Sequence, residues 1–399
     1  MTSVDDTEPG DRSALPGGDR SGRWPLNRWF VSTAALGLPQ AAGPVAFSLL
    51  ALSANRDASG GAAMILGMTL AQVAGAIPVT RLGRNVAPAT FLRLLVGIRT
   101  AALATIALLA ACGTPFPWLI ASAAVAGSVN GAAYGYMRAV LNRLVPVARL
   151  PRAIGIAATL NEVTFVLGPV AASGLGSVSP VLAVLAIAAL GAAPALLVPQ
   201  VGTIHPGDAR HVPGSLLTPT ILLWLACATA GGAAVAAVEI GAVALALRFG
   251  YQPALAILFT VPLCLASVSG GIWVSVRNRT ATRRAVLAQL SVMTAGSALV
   301  ALGPSVATTV VGAVLAGSVI APLGTYYSLV LDRLAPPRRR PEVFALLRTA
   351  NSVGIILASA MLTTVPLTSA LMVVTGLMIA VTLAVGTAPL KRRAGSPRD

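Results

Sequence analysis

"AGSVNGAAYGYMRAVLNRLVPVARLP", residues 126–151, returns 190 positions later as "AGSVIAPLGTYYSLVLDRLAPPRRRP", residues 316–341. With no gap, Tyr136 falls on Tyr326, Leu141 on Leu331, and Arg143-Leu144 on Arg333-Leu334. Pro146, Arg149 and Pro151 fall on Pro336, Arg339 and Pro341. Further on, Thr159 meets Thr349, Asn161 meets Asn351 and Leu167 meets Leu357. Apolar segments match one another by chance at Ala and Val, but not in a series of Arg, Pro, Tyr and Asn. The chain is therefore a parallel repeat of two halves. That arrangement is one of the architectures of membrane transporters, with the substrate site between the halves near the bilayer midplane.

Composition says what each half is made of. Of 399 residues, 56% are hydrophobic and 10% charged, and the mean hydropathy is +0.82. A soluble domain carries about 25% charged residues. This chain lacks the polar surface to cover itself in water. Apolar runs of about 20 residues, enough to cross a bilayer as a helix, recur along nearly its whole length. They predict spans near 30–52, 62–80, 94–112, 117–137, 153–173 and 180–199. A second set follows near 219–247, 254–275, 285–302, 306–330, 343–364 and 369–389. The expected fold is an all-α membrane protein of twelve transmembrane helices in two six-helix halves, 29–200 and 218–390. A disordered polar tail (1–28), a linker (201–217) and a short tail (391–399) complete it, with no cleavable signal peptide expected.

The net charge of +16 does not point to nucleic acid, because its distribution alternates. Arg81, Arg84 and Arg93 share one short loop; Arg138, Arg143, Arg149 and Arg152 share another. Arg277, Arg279, Arg283 and Arg284 form a third group, and Arg333, Arg338, Arg339 and Arg340 a fourth. The loops between them hold little that is basic beyond Arg56 and Arg248. The positive-inside rule places the Arg-rich loops, and with an even span number both termini, in the cytoplasm. Anionic membrane lipids are their expected partners. One lysine, Lys391, against 27 arginines suggests the codon bias of a GC-rich bacterium, hence a bacterial plasma membrane.

Cys112, Cys227 and Cys264 lack ligand spacing, and His205 and His211 share the linker, so no metal, cofactor or disulfide framework is expected. No phosphate-cradling glycine loop with its Lys is present to support ATP hydrolysis. An embedded enzyme would need catalytic side chains clustered at one depth, where only isolated polar residues appear.

The loop after span two, "AIPVTRLGRN" (76–85), resembles the signature of the major facilitator superfamily at this place. Arg81, Gly83 and Arg84 match it, while Ala76, Thr80 and Asn85 stand where the pattern has Gly, Asp and a second basic residue. The resemblance implies that this loop helps latch the cytoplasmic side shut. Without a carboxylate at 80, Thr80 is expected to cap a helix end instead. In span five, Gly155, Gly168 and Pro169 match the spacing of the superfamily's drug-exporting antiporters, with Thr164, Ala172 and Ser173 replacing other glycines. Small residues there allow close helix approach. A third pattern, Arg with Gln-Gly in span four, is replaced by Gly127 and Asn130-Gly131. The resemblance implies alternating access driven by protons, with gating by Arg81, Gly83, Arg84, Gly155, Gly168 and Pro169.

Polar side chains inside apolar spans carry the rest. Glu162 lies about nine residues into span five, about 13 Å from the cytoplasmic boundary. An intramembrane carboxyl costs at least about 2.5–3.5 kcal/mol, so it is expected to face an interior cavity and carry protons. A structural pair with an arginine is the alternative. Glu239, toward the outer end of span seven, is the second coupling candidate. Arg99 and Arg348, each about 8 Å inside a cytoplasmic boundary, either contact substrate or snorkel. Gln40, Asn130, Asn161 and Asn351 either bond substrate or tie helices together. Tyr326-Tyr327 read as packing. The function these features predict is a secondary active transporter, effluxing a small, partly apolar compound by proton coupling. An uptake carrier for a sugar or other metabolite and a non-transporting receptor are the alternatives.

Overall fold

The computed structural model describes residues 23–55, 59–200, 218–279 and 281–388. The linker, most of both tails, and His205, His211 and Lys391 lie outside them. Among the described residues there is no strand, and twelve helices are long and apolar enough to cross a membrane. Spans one to six are Trp24–Ser53, Gly60–Leu82, Pro88–Ala111, Phe116–Leu144, Val147–Val178 and Pro180–Leu197. Spans seven to twelve are Pro219–Arg248, Ile257–Arg277, Arg283–Leu302, Val306–Leu334, Arg340–Thr364 and Leu367–Thr387. Leucines and valines on the outer faces, such as Leu108, Val170, Leu265 and Leu383, are exposed as a lipid-facing surface requires.

Several helices start earlier than their apolar runs. The first begins at Arg23, so the tail does not extend to residue 28. Span three starts at Pro88 and span eleven at Arg340, against expected starts of 94 and 343. Proline accounts for this: Pro88 and Pro341 stand in the first turn, where the missing N–H costs nothing and the fixed φ suits the helix. The arginines inside these spans are therefore deeper than expected. By helix rise, Arg99 is about 16 Å and Arg348 about 12 Å from the helix start.

The repeated AGSV now has a physical reason. A Cβ on Gly127 would lie 1.9 Å from the Met68 carbonyl oxygen, and one on Gly75 would lie 2.2 Å from that of Ser128. Spans two and four thus cross backbone to backbone, each through a glycine. Spans eight and ten repeat the crossing: a Cβ on Gly317 would come within 2.4 Å of the Leu263 carbonyl, and one on Gly270 within 2.4 Å of the Ser318 carbonyl. Nothing larger than glycine fits either place, which keeps both copies of the motif alike.

A second repeat lies in the helix ends. Arg93 of span three donates to the Val198 carbonyl at 2.9 Å, closing the end of span six. Arg283, at the equivalent place in span nine, donates to the carbonyls of Val385 at 2.5 Å and Ala388 at 2.7 Å, closing span twelve. Each guanidinium satisfies orphan carbonyls at the negative end of a helix.

Within each half the packing partners correspond. Span one packs on five as seven packs on eleven; two on four as eight on ten; three on six as nine on twelve. The halves meet along two seams, span five against eight and span two against eleven, with span four also on eleven and span ten on five. At the Arg-rich end, Leu329 of span ten joins the apolar core of the first half. At the opposite end that half's core, around Phe47, Met64, Leu103 and Ile106, draws on its own spans alone.

Cys112 is exposed at the end of span three, Cys227 buried and Cys264 half-buried. With the Arg-rich end in the cytoplasm, a membrane-impermeant maleimide added to intact spheroplasts should label Cys112 well before the other two. Labelling only after the cytoplasmic face is opened would invert the orientation.

Candidate functional site

The Arg-rich end is shut by ion pairs between the halves. Glu342, in the first turn of span eleven, is 1% exposed and accepts at Oε1 from Arg84 Nε at 2.8 Å and from Arg84 Nη2. Arg81 Nε and Arg339 Nη2 each stand 3.6 Å from Oε2. Nearby, Asp332 accepts from Asn142 Nδ2 and lies 3.4 Å from Arg340 Nε. Asn142 and Asp332 occupy the same position of the repeat, so the bond joins residues related by the pseudo-twofold. Arg138 completes the layer, donating to Asn142 Oδ1 at 2.7 Å with its guanidinium over the Phe344 ring. The seam of spans five and eight is tied here too, by Asn278 Nδ2 donating to the Ala148 carbonyl at 3.1 Å.

The missing carboxylate of the span-two loop is thus supplied by the other half. Thr80 does not cap a helix: span two continues to Leu82, and the Thr80 hydroxyl bonds back to the Ala76 carbonyl at 2.5 Å. Gly83 is packed so tightly that a Cβ would fall 2.3 Å from the Phe91 ring.

Deeper in the bundle, polar residues from five spans meet in one network. Arg99 is 2% exposed. It donates through Nη1 to the Leu36 carbonyl at 2.8 Å and to Asn130 Oδ1 at 3.3 Å, and through Nη2 to the Gly191 carbonyl at 2.8 Å. Span six breaks at Ala192, just past that carbonyl, so Arg99 caps the break and does not snorkel. Asn130 Nδ2 donates to Gln72 Oε1 at 2.6 Å and to Gln40 Oε1 at 3.1 Å. Gln40 Oε1 also accepts from Arg348 of the second half, whose guanidinium lies 4.3 Å over the Tyr134 ring. Gln72 Nε2 continues the chain to Ser352 Oγ at 2.7 Å, across the seam of spans two and eleven.

Glu162 occupies the equivalent point of the other seam. It lies beside the buried Ser267 hydroxyl of span eight. Ser267 is related to Gln72 by the same 195-residue step that relates Gly270 to Gly75, and Glu162 corresponds to Ser352. Each seam therefore carries a polar pair at the same place: a neutral, hydrogen-bonded one in Gln72 and Ser352, and an ionisable one in Glu162 and Ser267, whose hydroxyl has no hydrogen-bond partner. Glu239 of span seven lies within electrostatic range of Glu162, and Cys264 within range of both. Glu239 is exposed on span seven, while Glu162 is half-buried.

The repeated asparagines lie together with glycines. Asn161 Oδ1 and the Tyr134 hydroxyl both come within 3.3 Å of where a Cβ on Gly37 would stand; Asn351 Oδ1 comes within 2.6 Å of the same point on Gly232. Gly155 seats span five on Ser275 of span eight, and Gly168 seats it on Ala41 of span one. Pro169 follows inside the same helix. The sequence-named residues Gln40, Asn130, Arg99 and Arg348 come together directly, whereas Asn351 and Glu239 stand apart from them. Glu342, Asp332, Gln72 and Tyr134 are additions that only the folded chain identifies. A lone acid in the Arg-rich "RRRPEV" (338–343) was the one available signal for Glu342.

This architecture has relatives among solved structures. A bacterial homologue of the iron transporter ferroportin, in its outward-facing state, superposes with a TM-score of 0.74 at 13% identity, over 92% of this chain and 98% of that one. The E. coli fucose:proton symporter FucP gives 0.69 at 11% identity, again over 92% and 98%. The human organic anion transporter MFSD10 gives 0.68 at 14% identity, over 93% and 100%. No curated protein matches the chain in sequence. The family model of the Major Facilitator Superfamily matches residues 29–359, most of both halves, and the chain belongs to that superfamily of membrane transporters.

Proposed function

We propose that this membrane transporter is a proton-driven exporter of a small, partly apolar compound, working by alternating access in a bacterial plasma membrane. The observation that carries the reading is the unequal pair of seams. One is linked by the Gln72–Ser352 hydrogen bond; the other sets the ionisable Glu162 beside Ser267, whose buried hydroxyl has no hydrogen-bond partner, so gain or loss of a proton there alters how the halves meet. Both termini and the Arg-rich loops then face the cytoplasm, against anionic lipid. The shut Arg-rich end corresponds to an outward-open state. Proton coupling is known on this fold from the fucose:proton symporter.

The test compares a deletion strain with an overexpressing strain across a panel of toxic compounds. Export predicts that overexpression raises tolerance to at least one compound, with its depletion from energised cells abolished by a protonophore. Accumulation in place of depletion means uptake. No flux of any compound in energised vesicles would end the transporter reading in favour of a sensor.

A further inference from the structure

We propose that the substrate carries an oxyanion, such as a carboxylate, and that Arg348 is the residue that binds it. The proposal rests on the transporter reading and specifies the chemistry of its central site.

Arg348 is a cation without a matching anion. Among the described residues the acids are Glu162, Glu239, Asp332 and Glu342. Asp332 and Glu342 are engaged by the arginines of the shut end, and none of the four forms an ion pair with Arg348. A guanidinium has five N–H donors. Here one reaches the neutral Gln40 amide, the ring of Tyr134 covers a face, and Nε is buried with no partner. Leaving a cation this deep in a bilayer uncompensated is costly, and such a residue normally finds a counter-charge.

Arg99 also lacks an acid partner and has an unpartnered buried Nε, but it is sealed from solvent and both its Nη groups are held by the Leu36 and Gly191 carbonyls, so it acts as a post for the network. Arg348, Tyr134, Gln40 and Asn161 are the half-buried front of the same network. The Tyr134 hydroxyl is a second buried donor without a partner, leaning over Gly37 beside Asn161. The buried groups without a partner at this front are thus a guanidinium N–H and a phenol O–H, both able to donate. A ligand that completes them brings acceptor oxygens and negative charge; an amine would meet a cation. Bidentate oxyanion binding is the geometry arginine serves best.

The repeat supports the assignment. The position equivalent to Arg348 in the first half is Ala158, and the one equivalent to Gln40 in the second is Val235. The scaffold therefore does not need the pair.

The experiment measures thermal unfolding of the purified full chain in nanodiscs, with matched sets on one apolar body: benzoate, benzamide and benzylamine; octanoate, octanamide and octylamine; naphthalenesulfonate and naphthalene methanol. At least one anion should raise the midpoint by several degrees at millimolar concentration, and its amide and amine should not. Arg348→Met should lose the shift, Arg348→Lys should keep part of it, and unliganded Arg348→Met should unfold no earlier than wild type. A panel in which no anion stabilises, or amines stabilise equally, overturns the proposal. So does an anion shift retained in Arg348→Met, or a variant that unfolds several degrees earlier without ligand. Anion binding without pH-driven flux would instead fault the exporter reading alone, while flux of neutral compounds with silent anions would fault only this one.

Discussion

Replacing Glu342 with alanine is expected to shift the balance of conformations about ten- to a hundredfold toward the state open at the Arg-rich end. Glu342 is the single acid holding Arg84, Arg81 and Arg339 together between the halves. A hydrogen bond to a charged group contributes about 1.5–3 kcal/mol, and tenfold in an equilibrium corresponds to about 1.4 kcal/mol. Arg84 is 41% exposed, so water recovers part of what it loses, and the lower half of that range applies if Asp332 holds. Loss of the carboxylate also leaves Arg81 and Arg84 facing further cations, which pushes the same way. Spin labels at Leu82 and Leu334, both exposed at this end, read the opening as a longer distance in double electron–electron resonance. An unchanged distance distribution would show that Glu342 does not hold the gate. Arg84→Ala should act in the same direction but less, slowing transport without reordering substrates, because Arg81 and Arg339 still reach Glu342. A normal turnover with a new substrate profile would contradict that.

The gate also marks where sequence reasoning stops. The repeat was readable because Arg, Pro and Tyr stand out against an apolar background, and because its glycines cannot be replaced at the crossings. The partners of those glycines were not found. Gly37, Gln72 and Gly75 match Gly232, Ser267 and Gly270 at a step of 195, not 190, so an ungapped comparison passes them by. Glu342 escapes for a different reason: the apolar run of span eleven begins at 343, one residue past the acid, whereas the helix begins at Arg340. Arg99 and Arg348 lie deeper than their apolar runs imply for the same reason, since such runs hide a helix that begins at a proline. Gln40, Asn130, Arg99 and Arg348 each suggested a membrane polar site alone. That one amide oxygen, Gln40 Oε1, accepts from both Asn130 and Arg348 depends on helix crossings that no local pattern encodes.

Glu162→Gln should preserve folding and substrate binding but abolish uphill transport driven by a pH gradient. The reasoning starts at the seam of spans five and eight. Gly155 and Gly271 hold these helices in backbone contact nearer the Arg-rich end: a Cβ on Gly155 would lie 2.9 Å from the Ser275 backbone nitrogen, and one on Gly271 would lie 3.4 Å from the Gly155 carbonyl oxygen. About two turns past Gly155, Glu162 lies beside Ser267. For access to alternate, this seam must part near its Arg-rich end and close beyond it, and Glu162 sits between the two parts. An ionised carboxyl can accept from the unpartnered Ser267 hydroxyl; a protonated one can donate as well, and no longer repels Glu239. The two protonation states therefore favour different arrangements of the halves, which is what coupling requires. Glutamine keeps the size and an acceptor oxygen but cannot change charge, so it holds the seam permanently in its neutral form. The opposite seam already shows that a neutral link suffices for assembly, since Gln72 and Ser352 make it there. Everted vesicles loaded with a transported compound report the result: downhill exchange should persist in Glu162→Gln, while accumulation on acidification of the lumen should fall to the level of empty vesicles. Glu239→Gln, which removes only the repulsion, should leave accumulation measurable and alter its pH dependence. Accumulation at the wild-type rate in Glu162→Gln would leave this carboxyl a structural group, and the coupling group would have to be sought elsewhere.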